Sequence, residues 1–318
     1  MNAFCFNYRI PAAASYNGTM HRRSLLVLLF FLVLVSSGCV VSRQRTITRK
    51  GVPNSQTLQT TGRETLLESI ASQYTAVKDF NATVDMVPAL GSAEKNKITE
   101  YKDVRAYVLF RGPADIRLVG LYPVIRNKAF DMVSNGVDFK LYLPIQGRFI
   151  RGRYDTPTTS KNKLENLRPQ HFLEALIVRP VDPASEKVLI ENLTDEQNAY
   201  YILRTVREAS GELRLTRAIW FNRGDLRMAR QIVYDDAGNI LTDARYSDWK
   251  TYDGTPFPKH IEINRPRDEY GIGIEIVKMD INKGVTDDKF VLDQPEGTKL
   301  QILGQPPGPA SKDALIDR

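Results

Sequence analysis

From Val104 onward the chain alternates apolar and polar residues in short runs, each closed by Gly, Pro or Asn. Val104, Ala106, Val108 and Phe110 alternate with Arg105, Tyr107 and Leu109, and Arg111-Gly112-Pro113 makes the turn. Ile116, Leu118 and Gly120 follow, then Phe130 and Met132 before Ser134-Asn135-Gly136. Phe139, Leu141 and Leu143 come next, closed by Pro144-Ile145-Gln146-Gly147, and 148–151 pairs back. Further runs occupy 200–206, 213–221, 228–234, 240–249, 259–263 and 272–281. A period of two places one set of side chains on one face of a sheet, and turns this frequent join neighbours antiparallel.

Two segments break the period. Thr61-Gly62-Arg63-Glu64 has the spacing of a capping box. Leu66, Leu67, Ile70, Tyr74 and Val77 follow at helical spacing, which predicts a helix of about 14 residues. In the middle of the chain Pro169 stands at a first helical position, Phe172, Leu173, Leu176 and Ile177 make a face, and Pro180 ends it. A sheet with one apolar face must close on itself or be covered. The expected fold is therefore mainly β with α. It is a strongly curved antiparallel sheet of about eleven strands, an incomplete (half) β-barrel covered by two or more helices.

The N-terminal part follows other rules. The unbroken apolar run Leu25 to Val35 is shorter than the about 20 residues that span a bilayer and fits the about 7–15 of a secretory signal. Arg22 and Arg23 precede it, and the small residues Ser36, Ser37 and Gly38 lead to Cys39. The block resembles a bacterial lipoprotein signal, in which Cys39 is lipidated and becomes the mature N-terminus. Ser36 departs from the Leu usual in that pattern, and an ordinary signal peptide or a short membrane anchor is the competing reading. Val40, rather than Asp, implies by the same resemblance an outer-membrane destination facing the periplasm. Met20 begins a cleaner signal than Met1 does. Of the two cysteines, Cys5 would leave with the signal, so the mature chain would have no disulfide and no thiolate metal site.

The expected organisation is a signal peptide over 1–38, a lipidated cysteine and flexible linker over 39–62, one folded domain over 63–304, and a disordered Pro-rich tail over 305–318. A linker of about 20 residues reaches about 25 Å on average as a random coil. The chain's net charge is +7, and removing a signal containing Arg9, Arg22 and Arg23 leaves +4. That modest excess is spread along the chain and excludes a nucleic-acid binder.

Enzyme chemistry finds no foothold. His171 and His260 have no partner at metal-ligand spacing, no HExxH or CxxC occurs, and no G-x-S-x-G turn is present. The reading is a non-enzyme with no metal and no cofactor. Arg105, Arg117, Arg214 and Arg217 recur opposite the apolar set, where they either solvate the outer face or meet lipid headgroups.

The order of elements, with the stretches "VRAYVLFRGPADIRLVGLYPVIRNKAFDMVSNGVDFKLYLPIQGRFIRGR", "LRPQHFLEALIVRP" and "INKGVTDDKFVLDQPEG", resembles the bacterial Lol superfamily of lipoprotein-sorting proteins over roughly 64–304. The lipobox points to its lipidated, receptor-like branch. The resemblance implies an apolar half-barrel cavity that takes acyl chains of lipoproteins or lipids, a periplasmic carrier protein as partner, and an apolar loop that enters the membrane, here Val124 and Ile125. Phe110, Ile116, Leu118, Phe130, Met132, Phe139 and Leu141 would line the cavity. The same seven residues would equally fill a solid core, because core and cavity share one period. Two other readings stay open on the same scaffold: an envelope-sensing or protein-interaction lipoprotein without bound lipid, and an assembly lipoprotein with a solid core.

Overall fold

The computed structural model describes residues 57–92, 97–123, 127–154, 156 and 163–304. Cys39, Val124, Ile125, the signal and the tail lie outside them. Helix α1 is Arg63–Ala76, with the expected 14 residues. Its capping box does not form: Gly62 is the N-cap, without a side-chain cap, and Glu64 pairs with Arg63 at 2.6 Å. Leu66 and Ile70 are buried, as the helical spacing predicts. Helix α2 is Pro169–Leu176, with Pro169, Phe172, Leu173, Ala175 and Leu176 buried.

Among the described residues fifteen strands form one sheet. β1 (Asp79–Ser92) is its hub. On one side runs the meander β3 (Val104–Arg111), β4 (Asp115–Leu121), β5 (Lys128–Ser134), β6 (Asp138–Leu143) and β7 (Arg148–Arg153). After α2 the chain goes to the far edge, β8 (Lys187–Thr194). It returns through β9 (Ala199–Ala209), β10 (Glu212–Asn222), β11 (Met228–Tyr234), β12 (Ile240–Tyr252) and β13 (Thr255–Arg265), and β14 (Tyr270–Ile281) closes on β1. β2 (Lys97–Glu100) pairs with the end of β1, and β15 (Lys299–Ile302) lies parallel to β7. The expectation of about eleven strands is corrected to these fifteen. β2, β8 and β15 escaped because none shows a clean buried alternation, whereas β1 does, through Phe80, Ala82, Val84 and Met86, and was passed over between the first helix and the run at Val104. β1 carries Pro88 and Gly91, and β2 and β8 are largely exposed.

The sheet is curved and open, with β8 and β15 at its edges. α2 contacts β4 and β5 on one side and β12 and β13 on the other. Six inter-strand steps separate β5 from β12, about 29 Å in a flat sheet at about 4.8 Å per step. An eight-residue helix is about 12 Å long and about 10–12 Å wide. Only a sheet that curls around the helix can touch it from both halves.

The concave face carries the main core. Phe80 on β1 meets Phe110 on β3 at 5.4 Å and Phe257 on β13 at 5.8 Å between ring centroids. The convex face of the first meander is covered as well. A strap, 283–298, crosses it from β14 to β15 and buries Leu292 against Val133 and Phe149. Three cations hold the strap by its carbonyls: Arg111 donates to Val285 O at 3.3 Å, Arg117 to Lys289 O at 2.8 Å and Val291 O at 3.1 Å, and Lys140 to Leu292 O at 2.8 Å.

Candidate functional site: an apolar cavity beside α2

The ladder between β1 and β3 ends at the pair Met86–Val104. Beyond it β1 carries Pro88, which has no N–H to donate, and pairs with β2 only from Ala89. The connecting residues 101–103 leave the ladder, held by Tyr101 N–H donating to Pro88 O at 2.8 Å. The sheet parts there, and a cavity of about 660 Å³ opens. That volume lies within the about 300–1,000 Å³ of small-molecule sites.

Its floor is buried and apolar: Met86 of β1, Leu167 and Phe172 at α2, and Tyr270 and Ile272 of β14. Val104, Leu90, Ala129 and Phe130 build the walls, and Tyr101, Lys102, Tyr122 and Pro123 stand at the rim. Phe130 lies across the backbone of Gly120, its partner on β4. A Cβ at 120 would come within 2.3 Å of the ring, so glycine is what lets this wall lie flat.

α2 separates this cavity from a polar cleft of about 890 Å³ on its other side. Side chains of β11 and β12 grip the helix. Gln231 donates to Glu174 O at 3.1 Å, Thr242 to Glu174 Oε2 at 2.6 Å and Tyr246 to Ala175 O at 2.8 Å. Arg265 links Asp268 at 2.8 Å to Thr242 at 2.7 Å. Ahead of the helix Arg168 is buried, with Nη1 on Glu165 O and Leu167 O and its guanidinium 4.6 Å above the Phe139 ring. Burial lowers its pKa to about 10, and it stays charged at neutral pH.

Tyr270 belongs to both sides of the helix. Its ring lines the apolar floor, and its hydroxyl shares a 2.5 Å hydrogen bond with His171 Nδ1 in the polar cleft. The hydroxyl is thereby satisfied, and burial holds the phenol neutral. Burial, then the Arg265 and Arg168 cations, push the pKa of His171 well below its ordinary value. A neutral histidine in the folded state adds no pH dependence above about pH 6.5, where the unfolded histidine is neutral too. Below that pH only the unfolded chain takes the proton, so stability falls, by at most about 1.4 kcal/mol per pH unit. Between pH 7 and 5.5 the protein is expected to lose about 1 kcal/mol more than His171→Gln in urea denaturation; parallel curves would refute this role.

Of the seven residues expected to line a cavity, the structure brings only Phe130 to it. Phe110, Ile116, Leu118, Met132, Phe139 and Leu141 are at most 2% exposed and lie in the packed core. Val104, Phe172 and Ile272 were legible as strand or helix-face residues, without any sign that they border open space. Tyr101 and Lys102 carried one usable signal, the lapse of alternation just before Val104. The arginines are engaged by protein: Arg105 with Asp85 at 2.6 Å, Arg117 with Asp131 at 2.9 Å, Arg214 near Asp236 at 3.8 Å, and Arg217 with Glu186 at 3.2 Å. Among the described residues no group of three or more His, Cys, Asp or Glu converges as a metal site.

An open curved sheet wrapped on a helix, with an apolar pocket between them, defines the class: a mainly β protein whose sheet folds around a covering helix. No family model and no curated protein matches the chain. Among solved structures it is similar to a LolA superfamily protein from Nitrosomonas europaea, at 16% identity and TM-score 0.48 over 73% of this chain and 99% of that one. It is also similar to a putative outer membrane lipoprotein-sorting protein domain from Vibrio parahaemolyticus, at 11% identity and TM-score 0.48 over 71% and 94%. A DUF1329 family protein from Desulfovibrio piger matches at 16% identity and TM-score 0.48 over 71% and 95%.

Proposed function

We propose that the chain is a lipid-anchored protein of the bacterial envelope that takes an acyl chain into the cavity beside α2. It would assist lipid or lipoprotein localisation without covalent chemistry. The observation that carries this reading is the cavity itself, about 660 Å³ with a buried apolar floor. Burying acyl chain gains about 0.8 kcal/mol per methylene, so ten methylenes contribute about 8 kcal/mol. Transfer then runs on the difference in affinity between cavity and destination membrane. Cys39 would hold the domain at the outer membrane on the 40–62 linker, with Val124 and Ile125, next to rim residue Pro123, entering the bilayer. A periplasmic carrier would be the delivering partner.

The test is native mass spectrometry of the chain from Ser42 onward, which contains every described element, purified without detergent and offered acyl ligands. One acyl chain or lipid bound per protein supports the proposal. A clean apo mass with no uptake moves the reading to an interaction lipoprotein. The open edge favours that second reading, because β8 has a single strand neighbour and leaves Leu189 59% exposed.

A further inference from the structure

The cavity's lining has a charge asymmetry that bears on what its ligand carries at the polar end. Of the described residues that surround it, one is charged, Lys102, and none is acidic. Lys102 is exposed at the rim, between Tyr101 and the ladder that resumes at Val104, and it has no ion pair among the described residues. The acidic neighbours in sequence, Glu100 and Asp103, line an adjoining depression with Asp85, Glu262 and Glu275, which meets the cavity at Ala89, Gly271 and Ile272. Lys128, at the start of β5, is held by Asp131 at 2.8 Å. The tyrosine in the floor has its hydroxyl turned to His171. An acyl chain lying on Met86, Phe172 and Ile272 would thus leave its headgroup beside the Lys102 ammonium, which has no ion-pair partner among the described residues, and the rings of Tyr101 and Tyr122.

Resting on the acyl-chain reading above, we infer that Lys102 selects amphiphiles with an anionic phosphate headgroup over those with no net charge. The ligand class is an anionic phospholipid. Lysine suits the role as a flexible point charge that can meet a phosphate at an open rim without a fixed fork. The aromatic rings beside it are amphipathic, with apolar faces toward the chain and hydroxyls toward the headgroup.

The experiment compares lysophosphatidylglycerol with lysophosphatidylcholine of the same chain length, below micelle formation and at low salt, binding to the chain from Ser42 onward. A rim-exposed charge pair predicts about three- to tenfold tighter binding of the anionic lipid, shrinking as salt is raised. Lys102→Gln should bring the two affinities together and Lys102→Glu should invert their order. Lys187→Gln, on the edge strand β8, should leave the preference as it was. Equal affinities in the unaltered protein, or a preference that survives Lys102→Gln, overturn the inference while the acyl-chain reading stands. Failure of both lipids to bind overturns the two together.

Discussion

Placing tryptophan in the cavity should abolish acyl-chain uptake while the domain stays folded. Val104 and Ala129 face open space rather than packed side chains, and neither is fully buried. An indole at either position therefore avoids most of the about 1–3 kcal/mol that overpacking a filled core costs. It would occupy room for about four methylenes, worth about 3 kcal/mol of binding, or roughly a hundredfold. Val104→Trp combined with Ala129→Trp should then show no bound acyl chain by native mass spectrometry, with thermal unfolding within a few degrees of the parent. Retained binding in the double variant would place the ligand elsewhere. A core position makes the control: Leu118→Ala, at 0% exposure, should cost about 2–5 kcal/mol of stability while the cavity wall stays in place.

The second large effect concerns stability. Asp131 is fully buried on the convex face and holds two cations, Arg117 through paired bonds of 2.9 Å and Lys128 at 2.8 Å. Arg117, 17% exposed, also donates to two carbonyls of the strap. Asp131→Ala leaves the guanidinium without its carboxylate in a partly desolvated site. The expected cost is about 3 kcal/mol, the lower end for breaking a buried pair because water reaches Arg117. Urea denaturation measures it, and hydrogen exchange should quicken at 285–292 before the concave core opens. Replacing both partners, Asp131→Ala with Arg117→Met, should recover part of the loss because no charge is then stranded. A double variant no better than the single would mean that the ion pair is not what fastens the strap.

Strand β5 shows why the outer face was hard to read. Asp131, Met132, Val133 and Ser134 are all buried in succession, since the strap covers one face and α2 lies toward the other. Period two is lost wherever both faces are covered, and a charged residue in the run looks like a surface mark. The strap also explains Arg117. From sequence its choices were water or headgroups; in the structure its partners are Asp131 and a segment more than 170 residues away. β15 is similar, a four-residue strand that exists because the strap delivers it to β7. Val124, Ile125 and Cys39 lie outside the described residues.

What the sequence determined by itself is what depends on near neighbours along the chain. Alternation placed most strands, Gly and Asn turns ended them, and Pro169 with the Phe172–Leu176 face set α2. Covering an apolar sheet required the helices. Tertiary structure alone decided which apolar residues border empty space. Phe110, Leu118 and Met132 share a pattern with Val104, Phe130 and Ile272, yet the first set lies in the packed core while the parted β1–β3 ladder leaves the second bordering the cavity. Hydrophobic periodicity records which way a side chain points. Whether another side chain meets it there depends on how far the sheet curls.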